Sequence, residues 1–164
     1  MKKIKTVKKM LLPKTIKKTN SKKIKIGIVT ARFNGDITEK LEEGALDYLD
    51  QLDVDVFSIR VPGAIEIAIA AQALFEYQKV DGIIALGAVI RGETTHYEEV
   101  CRSVERNCSR LMLDYKKPIS FGVLTVENET QALDRVGGKH GHKGAEAAQA
   151  VVEMIGLLTE IKKK

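Results

Sequence analysis

Gly82-Ile83-Ile84-Ala85-Leu86-Gly87-Ala88-Val89-Ile90-Arg91-Gly92-Glu93-Thr94-Thr95-His96 decides the fold of this chain. The first nine residues carry no charge and read as a strand buried on both faces, the pattern of a central parallel strand. A glycine-punctuated turn follows at Arg91-Gly92. From Thr95 the apolar period changes: Val100, Cys101, Val104, Cys108 and Leu111 recur at helical spacing, predicting a helix over Thr95–Leu113. A strand that feeds a helix through such a turn brings backbone N–H groups, a hydroxyl, a histidine and an arginine to one small volume. Free amides and the dipole at a helix N-terminus favour an anion there.

The same βα grammar extends in both directions. Ile24–Thr30 reads as a β-branched strand, followed by a helix at about Asp36–Gln51 with Asp36 as its N-cap. Ile37, Leu41, Ala45, Tyr48, Leu49 and Leu52 give that helix an apolar stripe. Val54–Val61 is a second strand, closed by Pro62-Gly63. Ile65–Tyr77 is a helix so apolar that both of its sides should be covered, a hint of subunit contact. Ile119–Val126 forms a fourth strand. A short helix over Thr130–Val136 and the glycine-rich link Gly137–His142 lead to a last helix at Lys143–Leu158. Repeated βα units imply right-handed crossovers and a parallel sheet with helices on both faces. The expected fold is α/β: a single-domain, three-layer α/β/α sandwich around a four-stranded parallel sheet of flavodoxin-like kind.

At 164 residues this is one domain with no internal repeat. No apolar run approaches the roughly 20 residues of a membrane span. The net charge of +5 is unevenly placed: residues 1–23 hold ten of the 27 basic residues and no acid, so the remainder carries 17 basic against 22 acidic residues. The chain divides into a lysine-rich tail, 1–23, and a folded domain, 24–164. The tail reads as a solvated, disordered extension, with a polyanion-binding arm for nucleic acid as the sharper alternative. Met10-Leu11-Leu12 is too short for a secretory signal core. Cys101 and Cys108 are seven helical residues apart, about 10.5 Å along the axis, which exceeds the roughly 7 Å reach of a disulfide. Both are expected as buried thiols, consistent with a reducing cytoplasm, and the spacing offers no zinc site.

Ligands of open parallel sheets bind beyond the carboxyl ends of the strands, and the polar and aromatic candidates fall there. Arg32-Phe33-Asn34 follows the first strand, Pro62–Glu66 the second, Arg91–His96 the third and Glu127-Asn128 the fourth. Thr94 either caps its helix or binds an anion. His96 is either an exposed bystander or a general acid–base group with a suitable pKa. Phe33 is either a core plug or a platform for a flat heterocycle. Arg135 and Lys143 are either solvated charges or phosphate partners. Neither a Walker lysine nor G-x-G-x-x-G is present, so no nucleotide is indicated.

These segments together resemble the 6,7-dimethyl-8-ribityllumazine synthase family. The residues that carry the resemblance are Phe33-Asn34, Pro62–Glu66, Gly87–His96, Phe121-Gly122-Val123, Glu127-Asn128 and Gly141–Gly144. It spans about Lys23–Leu158, and the G-x-V-I-R-G-x-T-x-H string is highly specific. It implies condensation of 5-amino-6-(D-ribitylamino)uracil with 3,4-dihydroxy-2-butanone 4-phosphate in riboflavin biosynthesis, without cofactor or metal. Phe33 would stack on the pyrimidine. Ala64, Ile65 and Glu66 would take its ribityl and polar groups, and Ala88, Val89 and Ile90 would offer backbone contacts. Glu93 (through its N–H), Thr94 and Arg135 would hold the phosphate, and His96 would shuttle protons. Phe121 would arrive from a neighbouring subunit, and Lys143 would line the rim. Ile65 departs from the aromatic residue common at its position.

The resemblance further implies a cytoplasmic homopentamer, assembled into an icosahedral 60-mer because the glycine-rich link is short, and an association with riboflavin synthase. Two other classes compete: a non-catalytic flavodoxin-like binding module, and a container or polyanion scaffold. Turnover that depends on His96 separates the first from an enzyme. Salt-sensitive RNA retention that is lost with residues 1–22 tests the second.

Overall fold

Four strands, Ile24–Ala31 (β1), Val54–Val61 (β2), Gly82–Ile90 (β3) and Ile119–Val126 (β4), form one parallel sheet in the order β2-β1-β3-β4. The computed structural model describes residues 22–163. The last three strands have the bounds predicted from sequence. β1 is one residue longer than expected because Ala31 still pairs with Val61. Central β3 lies between β1 and β4, with Ile84 opposite both Ile28 and Ser120.

Alternation along these strands builds two apolar layers. Ile26, Ile28, Ile84 and Leu86 face one side, beneath helices Gly35–Leu49 (α1) and Lys143–Lys162 (α5). Val29, Ile83, Ala85 and Val123 face the other, beneath Ile67–Ala73 (α2) and His96–Tyr115 (α3). Burial of each such Val, Leu or Ile is worth about 1.5–3 kcal/mol, so the three-layer α/β/α sandwich follows from the pattern of the strands. α1 and α5 cross on glycines: a Cβ at Gly144 would lie 2.0 Å from the Leu41 carbonyl oxygen, and one at Gly44 would lie 2.0 Å from His142 Cε1.

Element ends differ from expectation where tertiary contacts decide them. Asp36 does not cap α1 but lies in its first turn. The cap is Asn34, in the left-handed region at φ 58°, whose Nδ2 donates to the Ala88 carbonyl at 2.8 Å. The single helix expected over Ile65–Tyr77 is a 3-10 turn (Ala64–Glu66), then α2, then a wider π turn (Leu74–Gln78). Its outer side is bare in the single chain: Ile69 is 67% exposed and Tyr77 77%. α3 reaches Tyr115, where Lys116 adopts a left-handed φ of 52°. The helix expected over Thr130–Val136 is Glu129–Leu133 (α4). It is capped early by Asn128 Oδ1, which accepts from Gln131 N at 2.9 Å. Val136–Gly138 (β5) then pairs antiparallel with Gly141–His142 (β6), helped by positive φ at Gly137 and Gly141. α5 continues to Lys162, where a basic residue suits the helix C-terminus.

Cys108 is buried as expected, but Cys101 is only half-buried; both thiols are free. Burial pushes the Cys108 thiol up to about 11. Of the lysine-rich tail, 1–23, expected to be disordered, residues 1–21 lie outside the described residues. At its end, Lys23 Nζ meets Asp55 at 3.0 Å and Asp53 at 3.3 Å. Among the described residues no helix is long and apolar enough to cross a membrane.

Candidate active site

The chain leaves β1 through α1 toward β2, and leaves β3 through α3 toward β4, so the connections after the adjacent strands β1 and β3 diverge. This opens a crevice at the topological switch point. Three hydrogen bonds fix its floor. Arg32 N donates to Val61 O at 2.8 Å and Phe33 N to Pro62 O at 3.2 Å, which ties the loop after β1 to the one after β2. The Asn34–Ala88 bond ties it to β3.

The resulting cleft has a volume of about 620 Å3. Phe33, Ala64, Ile65 and Glu66 line one side, and Ala88, Val89 and Ile90 form its base. Gly92, Thr94 and His96 close the far side. Phe33 is 71% exposed, which excludes the core-plug alternative and leaves its ring face free for stacking. Thr94 is not the cap of α3. That position belongs to Thr95, whose side chain makes no capping bond, and Thr94 Oγ1 only accepts a long 3.4 Å bond from His96 N. The amides at this turn therefore keep room for an anion. Glu93 is exposed on the same loop, with its side chain outside the cleft lining.

Arg91, expected to converge on this volume, does not line it. Its Nε donates to Glu127 at 2.8 Å, its Nη1 pairs with Glu98, and its guanidinium lies 4.3 Å from the centre of the Tyr97 ring. Glu98 first, then Glu127, raise the Arg91 pKa, while Arg91 lowers that of Glu98. Glu127 and Asn128 are likewise committed to local structure: Asn128 caps α4, and Glu127 holds Arg91.

Phe121, Arg135 and Lys143 are not brought to this cleft. They line a separate one of about 420 Å3 along the outer edge of β4 and the start of α5, and the two clefts share no residue. Phe121 is 43% exposed there. Arg135 Nη1 donates to Gln131 O at 2.8 Å, and Lys143 Nζ meets Glu146 at 2.6 Å. One chain thus presents two separate clefts, one with Phe33, the Gly92–Thr94 turn and His96, the other with Phe121, Arg135 and Lys143. Among the described residues no group of three His, Cys, Asp or Glu side chains is placed to hold a metal.

Tyr97 is a cleft residue that sequence reasoning missed. It lies three residues before Val100 on the inward stripe of α3, and that spacing was a signal available in the sequence. Burial, the largest cause, raises its hydroxyl pKa.

A sequence model of the 6,7-dimethyl-8-ribityllumazine synthase family matches residues 23–159. The chain is 62% identical over 140 residues to the 6,7-dimethyl-8-ribityllumazine synthase of Bdellovibrio bacteriovorus, covering 85% of this chain and 78% of the relative. It is 48% identical to the enzyme of that name from Pediococcus pentosaceus, covering 84% and 90%, and 47% identical to that of Coxiella burnetii, covering 84% and 93%. With the match spanning all four strands of the parallel sheet and every strand end that builds the cleft, this chain belongs to the 6,7-dimethyl-8-ribityllumazine synthase family.

Proposed function

We propose that the chain is a transferase of riboflavin biosynthesis that condenses 5-amino-6-(D-ribitylamino)uracil with 3,4-dihydroxy-2-butanone 4-phosphate, releasing phosphate and water. The carrying observation is the juxtaposition in one cleft of an exposed aromatic face, Phe33, with the anion-ready turn at Gly92–Thr94 and with His96. A flat pyrimidine stacks on Phe33 and meets the Ala88–Ile90 backbone, and Glu66 takes polar groups of the ring and ribityl chain. Thr94 and the Glu93 N–H hold the phosphate. Attack of the amine on the ketone moves protons, which His96 shuttles. Holding both substrates in register supplies much of the rate, and the chemistry needs no cofactor.

Arg135 completes the phosphate clamp and Phe121 closes over the pyrimidine from a neighbouring subunit, with Lys143 at the rim. The separate clefts support this reading, because each half lacks what the other carries. The bare apolar side of the Ile65–Tyr77 segment supports a homopentamer. The tight β5–β6 hairpin keeps the link between the last two helices short, which supports assembly of pentamers into an icosahedral 60-mer able to associate with riboflavin synthase. Two free thiols favour the cytoplasm.

One experiment tests the core of this: both substrates are mixed with the protein, lumazine fluorescence is followed, and the same sample is sized by light scattering. Fluorescence growth in a particle larger than the monomer is expected. A monomer that turns over at full rate would refute the shared site.

A further inference from the structure

Arg91 sits at the start of the turn that closes the cleft, yet its side chain points away from the cleft lining. Its backbone N–H donates to Val126 O at 2.9 Å, extending the β3–β4 ladder by one step. Its side chain then spans two carboxylates. Glu127 follows β4 immediately, and Glu98 lies in the first turn of α3. The guanidinium also covers the ring of Tyr97, which lines the cleft beside His96.

Between Arg91 and Glu98 lies the segment Gly92–Thr95, which carries the candidate phosphate amides and hydroxyl. All four of its residues are exposed, and its own side chains give it one long bond, from His96 N to Thr94 Oγ1 at 3.4 Å. The Arg91–Glu98 pair closes this segment across its two ends. A planar, forked guanidinium is suited to that closure, since its rigid set of donors meets two carboxylates in one fixed plane while its flat face lies on an aromatic ring, a geometry that the point charge of an ammonium does not fix.

We infer that Arg91 is a positioning residue for the reaction: with Glu98 and Glu127 it staples the Gly92–Thr95 loop and the first turn of α3, and so sets where the phosphate and His96 lie. The inference rests on the function proposed above. It assigns Arg91 no contact with substrate. The elements that take the pyrimidine, at the ends of β1, β2 and β3, do not hang on the staple, since they are tied by the Arg32, Phe33 and Asn34 bonds. Loss of the staple therefore weakens capture of the phosphate substrate and lowers turnover, while binding of the pyrimidine is left intact.

Steady-state kinetics with each substrate varied in turn, on the wild type, Arg91→Met, Arg91→Lys, Glu98→Gln and the Arg91→Met/Glu98→Gln double variant, provide the test. Misplacement of a catalytic group by an ångström can cost about a hundredfold. Arg91→Met should lose about ten- to a hundredfold in kcat/KM for the butanone phosphate, with KM for the pyrimidine unchanged. Arg91→Lys should recover part of that loss. Glu98→Gln should reproduce the selective loss in milder form, and the double variant should be no worse than Arg91→Met, because both changes break one contact. If Arg91 instead bound phosphate directly, Glu98→Gln would free its guanidinium and leave phosphate affinity intact or improved, which overturns the inference. Unchanged kinetics in Arg91→Met and Glu98→Gln also overturn it. Glu98→Gln alters a half-exposed side chain by one charge, so it remains informative even if Arg91→Met folds poorly. Failure of the wild type to form lumazine would defeat the proposed function instead, a separate result.

Discussion

If each site is made of the β1/β3 cleft of one subunit and the β4 edge of the next, two crippled chains should rescue one another. His96→Ala damages only the cleft half, and Arg135→Met only the edge half, because the two clefts have no residue in common. Loss of a general acid–base group lowers turnover by about 10²–10⁴-fold. Loss of a charge-assisted bond worth about 1.5–3 kcal/mol lowers it by roughly ten- to a hundredfold. The parents should therefore retain at most about a tenth of wild-type activity. In a head-to-tail ring assembled from equal amounts of both chains, a site is intact when an Arg135→Met chain supplies the cleft and a His96→Ala chain the edge. Each choice is made half the time, so about one quarter of the sites are whole, whatever the ring size. Co-refolded mixtures assayed by lumazine fluorescence should recover about a quarter of wild-type activity, well above either parent. A site contained in one chain carries a lesion in every copy. A mixture no more active than the mean of its parents would therefore refute the shared site.

Three further outcomes are expected. His96→Ala alone should leave pyrimidine binding by titration close to wild type while turnover falls, and unchanged turnover would remove His96 from its role. Gly144→Ala places a Cβ 2.0 Å from the Leu41 carbonyl oxygen, a backbone atom that cannot rotate away. Overpacking of this kind costs about 1–3 kcal/mol, so thermal denaturation at matched protein concentration should show a Tm lower by roughly 2–12 °C, and an unchanged Tm would mean that α1 and α5 do not cross there. Cys108 titrates near 9 when unfolded and at about 11 when folded, because burial disfavours the thiolate. The folded state then holds more protons than the unfolded one in that window, so this contribution to stability is present below pH 9 and is lost as pH rises toward 11. Two pH units correspond to about 2–3 kcal/mol; urea midpoints should fall more steeply across this range in the wild type than in Cys108→Ala, and parallel profiles would contradict the burial argument.

The sheet was legible because its strands are uncharged or alternating runs with hard stops: Pro62-Gly63 ends β2, Arg91-Gly92 ends β3 and Glu127 ends β4. The rim residues followed from the strand ends, since Glu66, Thr94 and His96 lie just past two of those stops and Phe33 lies just past β1. What escaped was set by partners distant in sequence. Asn34 caps α1 because Ala88, 54 positions away, holds its amide. Arg91 turned from a candidate ligand into a tie because Glu127 lies 36 positions on. No window of local sequence carries the Asn34 or the Glu127 contact, although Glu98, the other partner of Arg91, is only seven residues on. Tyr97 differs: its spacing to Val100 places it on the inward stripe of α3, but that pattern does not distinguish a cleft-lining ring from a core one.

A site divided between two clefts, as proposed above, would have a physical logic that begins with strand order. β4 is an edge strand, and it carries an exposed Phe121 next to the half-buried Arg135 and Lys143. An uncovered strand edge with an aromatic on it invites uncontrolled pairing with other chains. On the reading proposed above, the neighbouring subunit's cleft covers this edge, so one contact protects β4 and completes the clamp. Phe33, 71% exposed, and Ile65, 47% exposed, pose the matching problem on the cleft side. The same contact resolves both, which is why assembly and catalysis should be lost together. Substituting Phe121 by Asp, which leaves the Gly92–His96 turn untouched, should dissociate the particle in light scattering and abolish turnover in the same sample. An intact, inactive particle would separate the two roles, and a dissociated, active monomer would overturn the argument.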